Sequence, residues 1–541
     1  MTTSDLSPSA PTATCGNLVY GEGLGSSMSN YLHPNMSEVA AGQASPPKRR
    51  RARWLVAGVA GLTGVVGLAA FTTNGVSGAT GKSGNPSNAG AQLLADGNRG
   101  SGDDHGGQDP GGRDGKDHKK DNDHRDDRGD DFRSVPCNAD ELIAAIVRAN
   151  AGSGAKLRLA EKCTYTLNRS APQPPVPFGA VGLPIITQQV VIDANGSTIV
   201  RAANATPFRI LEVGAGGDLT LRDATIKGGQ AEGGVGAGGG GIRIDIGGRA
   251  VIENTHVVYN HTNGPGGGIA NFGVTKILGG NDHGKDRDGK DKDGGSNISN
   301  NSAVFSGGGI FNNGNLTVQN TRLSYNNTIG VVNVLPIGGT GGGLSNSQVA
   351  VLENVRLHNN TAGFRGGGIS GGINSTTEAR NVEVNENRAG SEGGGIFSDG
   401  VFHLRHGKVH HNEAGQRGGG VFNQINQFVA EDSWINENTA STNSTIEHGG
   451  GVYNGSGTVV LRRTHVDRNR AIGSSSQGGG IYNNAALTLT ESKVTDNISI
   501  LAPGGIFNDG GQVTVDQKTV ISGNRPTNCT PSSPPVPNCF G

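Results

Sequence analysis

The sequence predicts an all-β fold, a single-stranded right-handed parallel β-helix (solenoid) with a short N-terminal capping helix. Three observations predict it. Gly occupies 94 of 541 positions while aromatic residues make up 4%, where a Gly share of about 7% is ordinary. From Gly239 onward, a glycine pair or triplet followed by an aliphatic recurs ten times. A second mark, an aliphatic three positions before an Asn, recurs in phase with the first. Such repeats signify a solenoid, in which each unit buries its apolar face only by stacking on the next.

The marker aliphatics are Ile242, Ile269, Ile310, Leu344, Ile369, Ile396, Val421, Val452, Ile481 and Ile506, spaced by 27, 41, 34, 25, 27, 25, 31, 29 and 25 residues. The shortest interval recurs, and the longer ones read as the same unit with insertions. The marker amides are Asn260, Asn301, Asn326, Asn360, Asn387, Asn412, Asn438, Asn469, Asn497 and Asn524. In six units the Asn stands nine residues before the next marker aliphatic, as in 387/396 and 497/506. Short alternations such as Leu316-Thr317-Val318 and Leu487-Thr488-Leu489 direct one side chain inward and the next outward. About a dozen coils stacked at ~4.8 Å give a rod on the order of 60 Å. Amides repeated on successive coils can hydrogen-bond as a ladder, and Asn tolerates a left-handed turn conformation.

Ala139 to Asn150 reads as an amphipathic helix with Leu142, Ile143, Ile146 and Val147 on one face, placed to cover the open edge of the first coil. Less regular coils follow at Leu157–Leu159, Val190–Ile192, Arg209–Val213 and Leu219–Leu221. Cys15 precedes an apolar segment, and the other four cysteines follow it. That even number suits an oxidising compartment. The expected disulfides are Cys137–Cys163 and Cys529–Cys539, each closing a short loop at one end of the folded region.

Lys48-Arg49-Arg50-Arg51-Ala52-Arg53 precedes Trp54 and the apolar run Leu55 to Phe71. A basic flank and an apolar stretch read as a signal peptide or signal anchor. Ser77-Gly78-Ala79 supplies small residues for cleavage. The expected organisation is a disordered segment 1–47, a signal or anchor 48–79, a charged disordered linker 80–134, the β-helix 135–525, and a Pro-rich tail 526–541. The charged tract Asn281 to Gly294 is expected as a loop thrown out from one coil. The protein is expected to be secreted or at the cell surface, touching membrane only through residues 54–71 if these are retained.

A formal net charge of −1 gives no electrostatic case for nucleic acid. The glycine clusters lack the Lys and the strand–loop–helix context of a phosphate-binding loop. Seven residues before the marker Asn stand Glu253, Gln319, Glu353, Arg380, Arg405, Glu431 and Arg462. Equivalent positions on adjacent coils lie about 5 Å apart, so Glu353, Arg380, Arg405, Glu431 and Arg462 are expected as a charge ladder with Arg380/Arg405 as its like-charged junction. Phe311, Phe397, Phe422, Tyr453, Tyr482 and Phe507 each follow a marker aliphatic. An outward aromatic stripe would suit a carbohydrate or protein partner, and the alternative is that the rings stack beneath an adjoining loop. His403, His406, His410 and His411 share one coil, but no Cys or carboxylate joins them at ligand spacing in the chain, so no metal site is expected.

The pattern GGGI-F-N…N-L-T-V…N-T-x-L-x-x-N, clearest at Gly307–Asn326 and Gly478–Asn497, resembles the repeats of polymorphic outer-membrane proteins in the pectin-lyase-like β-helix class. The third motif position here is Gly rather than Ala, and Val, Leu or Ile replaces the Phe of the FxxN motif. The resemblance spans about Gly239 to Asn524 and implies surface exposure and adhesion. With 17 residues after Asn524, no membrane β-barrel is expected, and the leader is similar to that of exported actinobacterial proteins. Pectinolytic members of the class use paired Asp for hydrolysis, or Ca²⁺-binding Asp with a basic residue for lyase chemistry. Their Asn-Thr-Asp, Asp-Asp and Gly-His-Gly series is missing from the repeats, where Glu431-Asp432 is the only adjacent acidic pair. No catalytic residue and no cofactor is therefore assigned. The expected function is a non-enzymatic, adhesion-like module for an extracellular glycan or protein. The alternatives are a polysaccharide lyase or glycoside hydrolase, and a structural envelope spacer.

Overall fold

The computed structural model describes residues 131–171, 179–280, 295–330, 339–441 and 448–541. The N-terminal segment, the export segment, nearly all of the charged linker and the tract 281–294 lie outside them. The described chain is a right-handed parallel β-solenoid. One coil illustrates the unit, with strands Ile396–Ser398, Val401–Arg405, Lys408–His410 and Glu413–Ala414. Each pairs in parallel with its counterpart one coil before and after, which generates four sheets. Sheet I, of 14 strands, contains Val401–Arg405; sheet II, of 11, contains Ile396–Ser398; sheet III, of 13, contains Lys408–His410; sheet IV, of 10, contains Glu413–Ala414.

The marker aliphatics form one inward column on sheet II, in unbroken register from Ile242 through Ile310, Ile369 and Val421 to Ile506. All ten are 0% exposed, and burying each such side chain stabilises the fold by about 1.5–3 kcal/mol. Glycine is required at the turn into sheet II. Gly393 has φ +65°, and a Cβ on Gly394 would lie 2.4 Å from the Glu413 carbonyl carbon and the Gly419 oxygen. A side chain there would push the coils apart.

The marker amides form a second interior column. From Asn260 to Asn497, each Nδ2 donates to the Oδ1 of the next Asn at 2.9–3.0 Å, and Asn524 ends the column on Asn528 Oδ1 at 3.0 Å. The left-handed conformation falls on the residue before each Asn, among them Tyr259, Tyr325, Asn359, His411 and Glu437, and not on the Asn itself. The Asn side chain must point inward to reach its neighbours, so the preceding residue makes the corner. A second amide ladder runs along sheet II, from Asn271 to Asn312 and Asn346, and again from Asn423 through Asn454 and Asn483 to Asn508. Gly371 and Ser398 interrupt it, since neither carries an amide.

Helix α1, Ala139–Ala151, is N-capped by Asn138, whose side chain accepts from the Asp140 and Glu141 amides. It buries Leu142, Ala145, Ile146 and Ala149. Val147 is exposed, contrary to the expected face, because the stripe follows the i, i+3, i+4, i+7 spacing of one helical face. The Cys137–Cys163 disulfide ties the start of α1 to the first coil. At the other end Cys529 pairs with Cys539, and the tail hydrogen-bonds to the last sheet II strand through Ile506 N–H and Asn528 O at 2.9 Å.

Replacing Asn412 by Ala leaves the buried Asn387 backbone amide without its acceptor and its Nδ2 with the Leu357 carbonyl alone. We expect a loss of about 3 kcal/mol, read by urea or thermal unfolding. Gly394→Ala should destabilise more than Asn412→Ala, since backbone and not a side-chain end must move.

Candidate binding face

The outer side of sheet II carries the central residue of each strand, and there the aromatics align. Phe397, Phe422, Tyr453 and Tyr482 stack in register with centroids 5.4, 4.8 and 5.0 Å apart and planes within 15° of parallel, and Phe507 closes the row tilted. They are not an exposed stripe. The first four are 0–7% exposed, because the rings cover one another's faces, Arg365 lies over Phe397, and the flanking column covers the edges. Phe311 stands apart, separated by Ser345 and Ser370, and packs on Phe272.

The covering residues all stand four positions before a marker aliphatic: Arg365, Glu392, Arg417, His448 and Gln477. They form a column of parallel bridges. Sequence reading missed them, although their phasing was available in it. Glu392 lies between two cations, Arg365 Nε at 2.7 Å and Arg417 at 3.8 Å. Arg365 also lies over the Phe397 ring at 4.8 Å and Arg417 over Tyr453 at 5.5 Å. His448 stacks on Tyr482 at 4.3 Å and accepts at Nδ1 from the Gln477 amide at 3.3 Å.

On the other flank stand Asp399 and Asp509, each three positions after a marker aliphatic. Asp509 accepts from the Tyr482 hydroxyl at 2.7 Å. The Asp399 Oδ1 is buried and has no hydrogen-bond partner among the described residues. Burial raises the Asp399 pKa against the opposing pull of Arg365. Burial, with the Arg417 charge, lowers His448 to about 4, so its ring is neutral at physiological pH. Burial also raises Tyr453 and Tyr482, keeping both hydroxyls protonated. Perturbed groups gathered on one face over a rigid floor are what a recognition or acid–base site requires.

The same face holds a buried ionic cluster near its N-terminal end. Arg209 meets Glu212 at 2.6 Å, and Arg243 meets Asp245 at 2.6 Å and lies over Phe272 at 4.5 Å. Burial lowers Arg209 to about 10, which leaves it charged at neutral pH. Arg243 also donates to the Gly236 carbonyl at 2.9 Å.

The charge-ladder positions lie in register on sheet I. Glu431 bridges Arg405 at 3.2 Å and Arg462 at 2.8 Å. Glu353 accepts instead from Gln319 at 3.0 Å, and Arg380 pairs with no carboxylate among the described residues. Arg380, Glu353, Glu378 and Arg405 line a shallow depression of about 190 Å³. Asp432 binds Arg463 through two hydrogen bonds at 2.6 and 2.9 Å, so the adjacent acidic pair Glu431-Asp432 is occupied by arginines. Carboxylates do join the histidines, from neighbouring coils: Glu378 meets His403 at 2.8 Å, Glu383 meets His410 at 3.1 Å, and Glu437 meets His411 at 2.6 Å. Linear spacing concealed these pairs because each spans a whole coil.

An unfolded His titrates near 6.5 and folded His448 near 4. The unfolded chain therefore binds more protons between those values, and the stability held by neutral His448 is complete above pH 6.5 and lost as pH falls toward 4. His448→Gln should flatten that part of a melting-temperature profile. Asp399 has the opposite sign: its raised pKa favours the protonated form, so Asp399→Asn should raise the melting temperature at neutral pH.

No family model and no curated protein matches the chain. Among solved structures it is similar to tailspike protein 3 of bacteriophage CBA120, with 14% identity over 75% of this chain and a TM-score of 0.30. The chain spans 60% of that tailspike's length. It is also similar to PfbA, a surface adhesin of Streptococcus pneumoniae, with 11% identity over 71% of this chain, 87% of the adhesin and a TM-score of 0.27.

Proposed function

We propose that the chain is an extracellular β-helix module that binds a glycan along the outer face of sheet II. The observation carrying this reading is Asp399, whose buried and unpartnered Oδ1 lies on the face that Arg365, Glu392, Arg417, His448 and the two tyrosine hydroxyls share. An unsatisfied buried acceptor is costly, and its retention beside this ionic row marks a position kept for something other than stability. The rings lie too deep to act as a stacking platform, so recognition runs through hydrogen bonds at the edges of a rigid floor, with little side-chain entropy left to lose. The two disulfides support an oxidising, extracellular setting.

The same residue favours a second reading. A carboxyl held above its ordinary pKa beside a second carboxylate, Glu392, is the pairing by which glycoside hydrolases divide acid and base roles. Full-length protein screened against neutral and acidic polysaccharides separates the two. Retention without new reducing or unsaturated ends, weakened about tenfold by Asp399→Asn or Arg417→Ala, supports binding; one lost hydrogen bond of about 1.4 kcal/mol has that effect. New chain ends that vanish in Asp399→Asn support catalysis. A panel that is neither retained nor cut sinks both.

A further inference from the structure

His410 ends its sheet III strand, and His411 occupies the following left-handed corner with φ +53°. Their Nδ1 atoms stand 2.9 Å apart. The remaining nitrogen of each ring is committed to a carboxylate: His410 Nε2 to Glu383 at 3.1 Å and His411 Nε2 to Glu437 at 2.6 Å. Both carboxylates are held in turn by arginines, Glu383 by Arg356 at 3.5 Å and Glu437 by Arg468 at 2.9 Å. The result is a near-symmetric chain, Arg356–Glu383–His410···His411–Glu437–Arg468, drawn from five successive coils.

The tautomers follow from this chain. An ionised carboxylate only accepts, so each Nε2 carries the proton and each Nδ1 presents a lone pair. Two lone pairs facing each other at 2.9 Å repel unless an electrophile holds them together. A carboxylate behind each imidazole is also the arrangement that orients and strengthens histidine as a metal ligand. At bond lengths of about 2.0–2.1 Å, a 2.9 Å nitrogen separation subtends an angle of about 90° at the metal. A tetrahedral ion would want the nitrogens about 3.3 Å apart at the same bond length. Adjacent positions of a tetragonal ion fit, which favours copper(II) or nickel(II) over zinc.

We propose that His410 and His411 form a surface site for a divalent transition-metal ion of tetragonal preference, with water at the remaining positions. Glu383 and Glu437 meet the Nε2 atoms, and no group of three or more His, Cys, Asp or Glu placed to hold a metal ion is found among the described residues, which leaves the other positions open to water or to a donor group of a bound partner. His411 is exposed and His410 only half-buried, so an ion reaches them without opening the fold. The site lies on sheet III and its corner, apart from the binding face on sheet II.

The test is titration of the full chain with Cu²⁺ at pH 7.5, followed by calorimetry and electron paramagnetic resonance. His410→Ala/His411→Ala should lose one equivalent relative to wild type, and the wild-type spectrum should be axial with coupling to two nitrogens. Comparing the two chains removes any contribution from the other histidines and the acidic tracts. Glu383→Gln and Glu437→Gln, which keep the fold's hydrogen-bonding shape, should each weaken that equivalent about 10–100-fold. Equal stoichiometry in wild type and double variant overturns the proposal. So does a spectrum lacking two-nitrogen coupling, which would mean that the pair merely shares a proton.

Discussion

Every feature of this molecule depends on one constraint: each residue sits on its own counterpart one coil away. Parallel stacking in register turns a sequence position into a column, and a column is stable only if its residue type tolerates a copy of itself above and below. Aliphatics do so by dispersion, and the sheet II column is apolar without exception from Ile242 to Ile506. Amides do so because Asn is donor and acceptor at once, so nine successive Asn–Asn hydrogen bonds satisfy polar groups that would otherwise be costly in the interior. Rings do so by stacking, as in the row from Phe397 to Phe507.

Charges do not tolerate copies of themselves, and the molecule handles them by alternation. Glu392 lies between Arg365 and Arg417, and Glu431 between Arg405 and Arg462. Where alternation fails, at Arg380 beside Arg405, a cation is left without a carboxylate among the described residues. The histidine corner is the same rule in another form. Carboxylates one coil to either side of His410 and His411 use one nitrogen of each ring and leave the other two facing each other.

The candidate face was only half legible. The aromatic positions could be read because they follow the marker aliphatics, but their exposure could not. Alternation says which way Phe422 points and not what lies beside it. The column Arg365, Glu392, Arg417, His448 shares a fixed phase with the markers, yet its residue types vary, so nothing in composition sets it apart. Asp399 is a lone carboxylate in sequence. Its unpartnered oxygen is a property of the packing around it.

The sequence by itself determined the coil, the inward aliphatic column, the marked Asn positions and the ends to be closed, because a repeat imposes identical local chemistry at a fixed period. Tertiary structure alone decided which residue of each corner takes the left-handed conformation, how deeply the aromatic row is buried, and which charges meet. Those outcomes depend on side chains a whole coil apart in sequence and about 5 Å apart in space, a proximity that exists only once the coils have stacked.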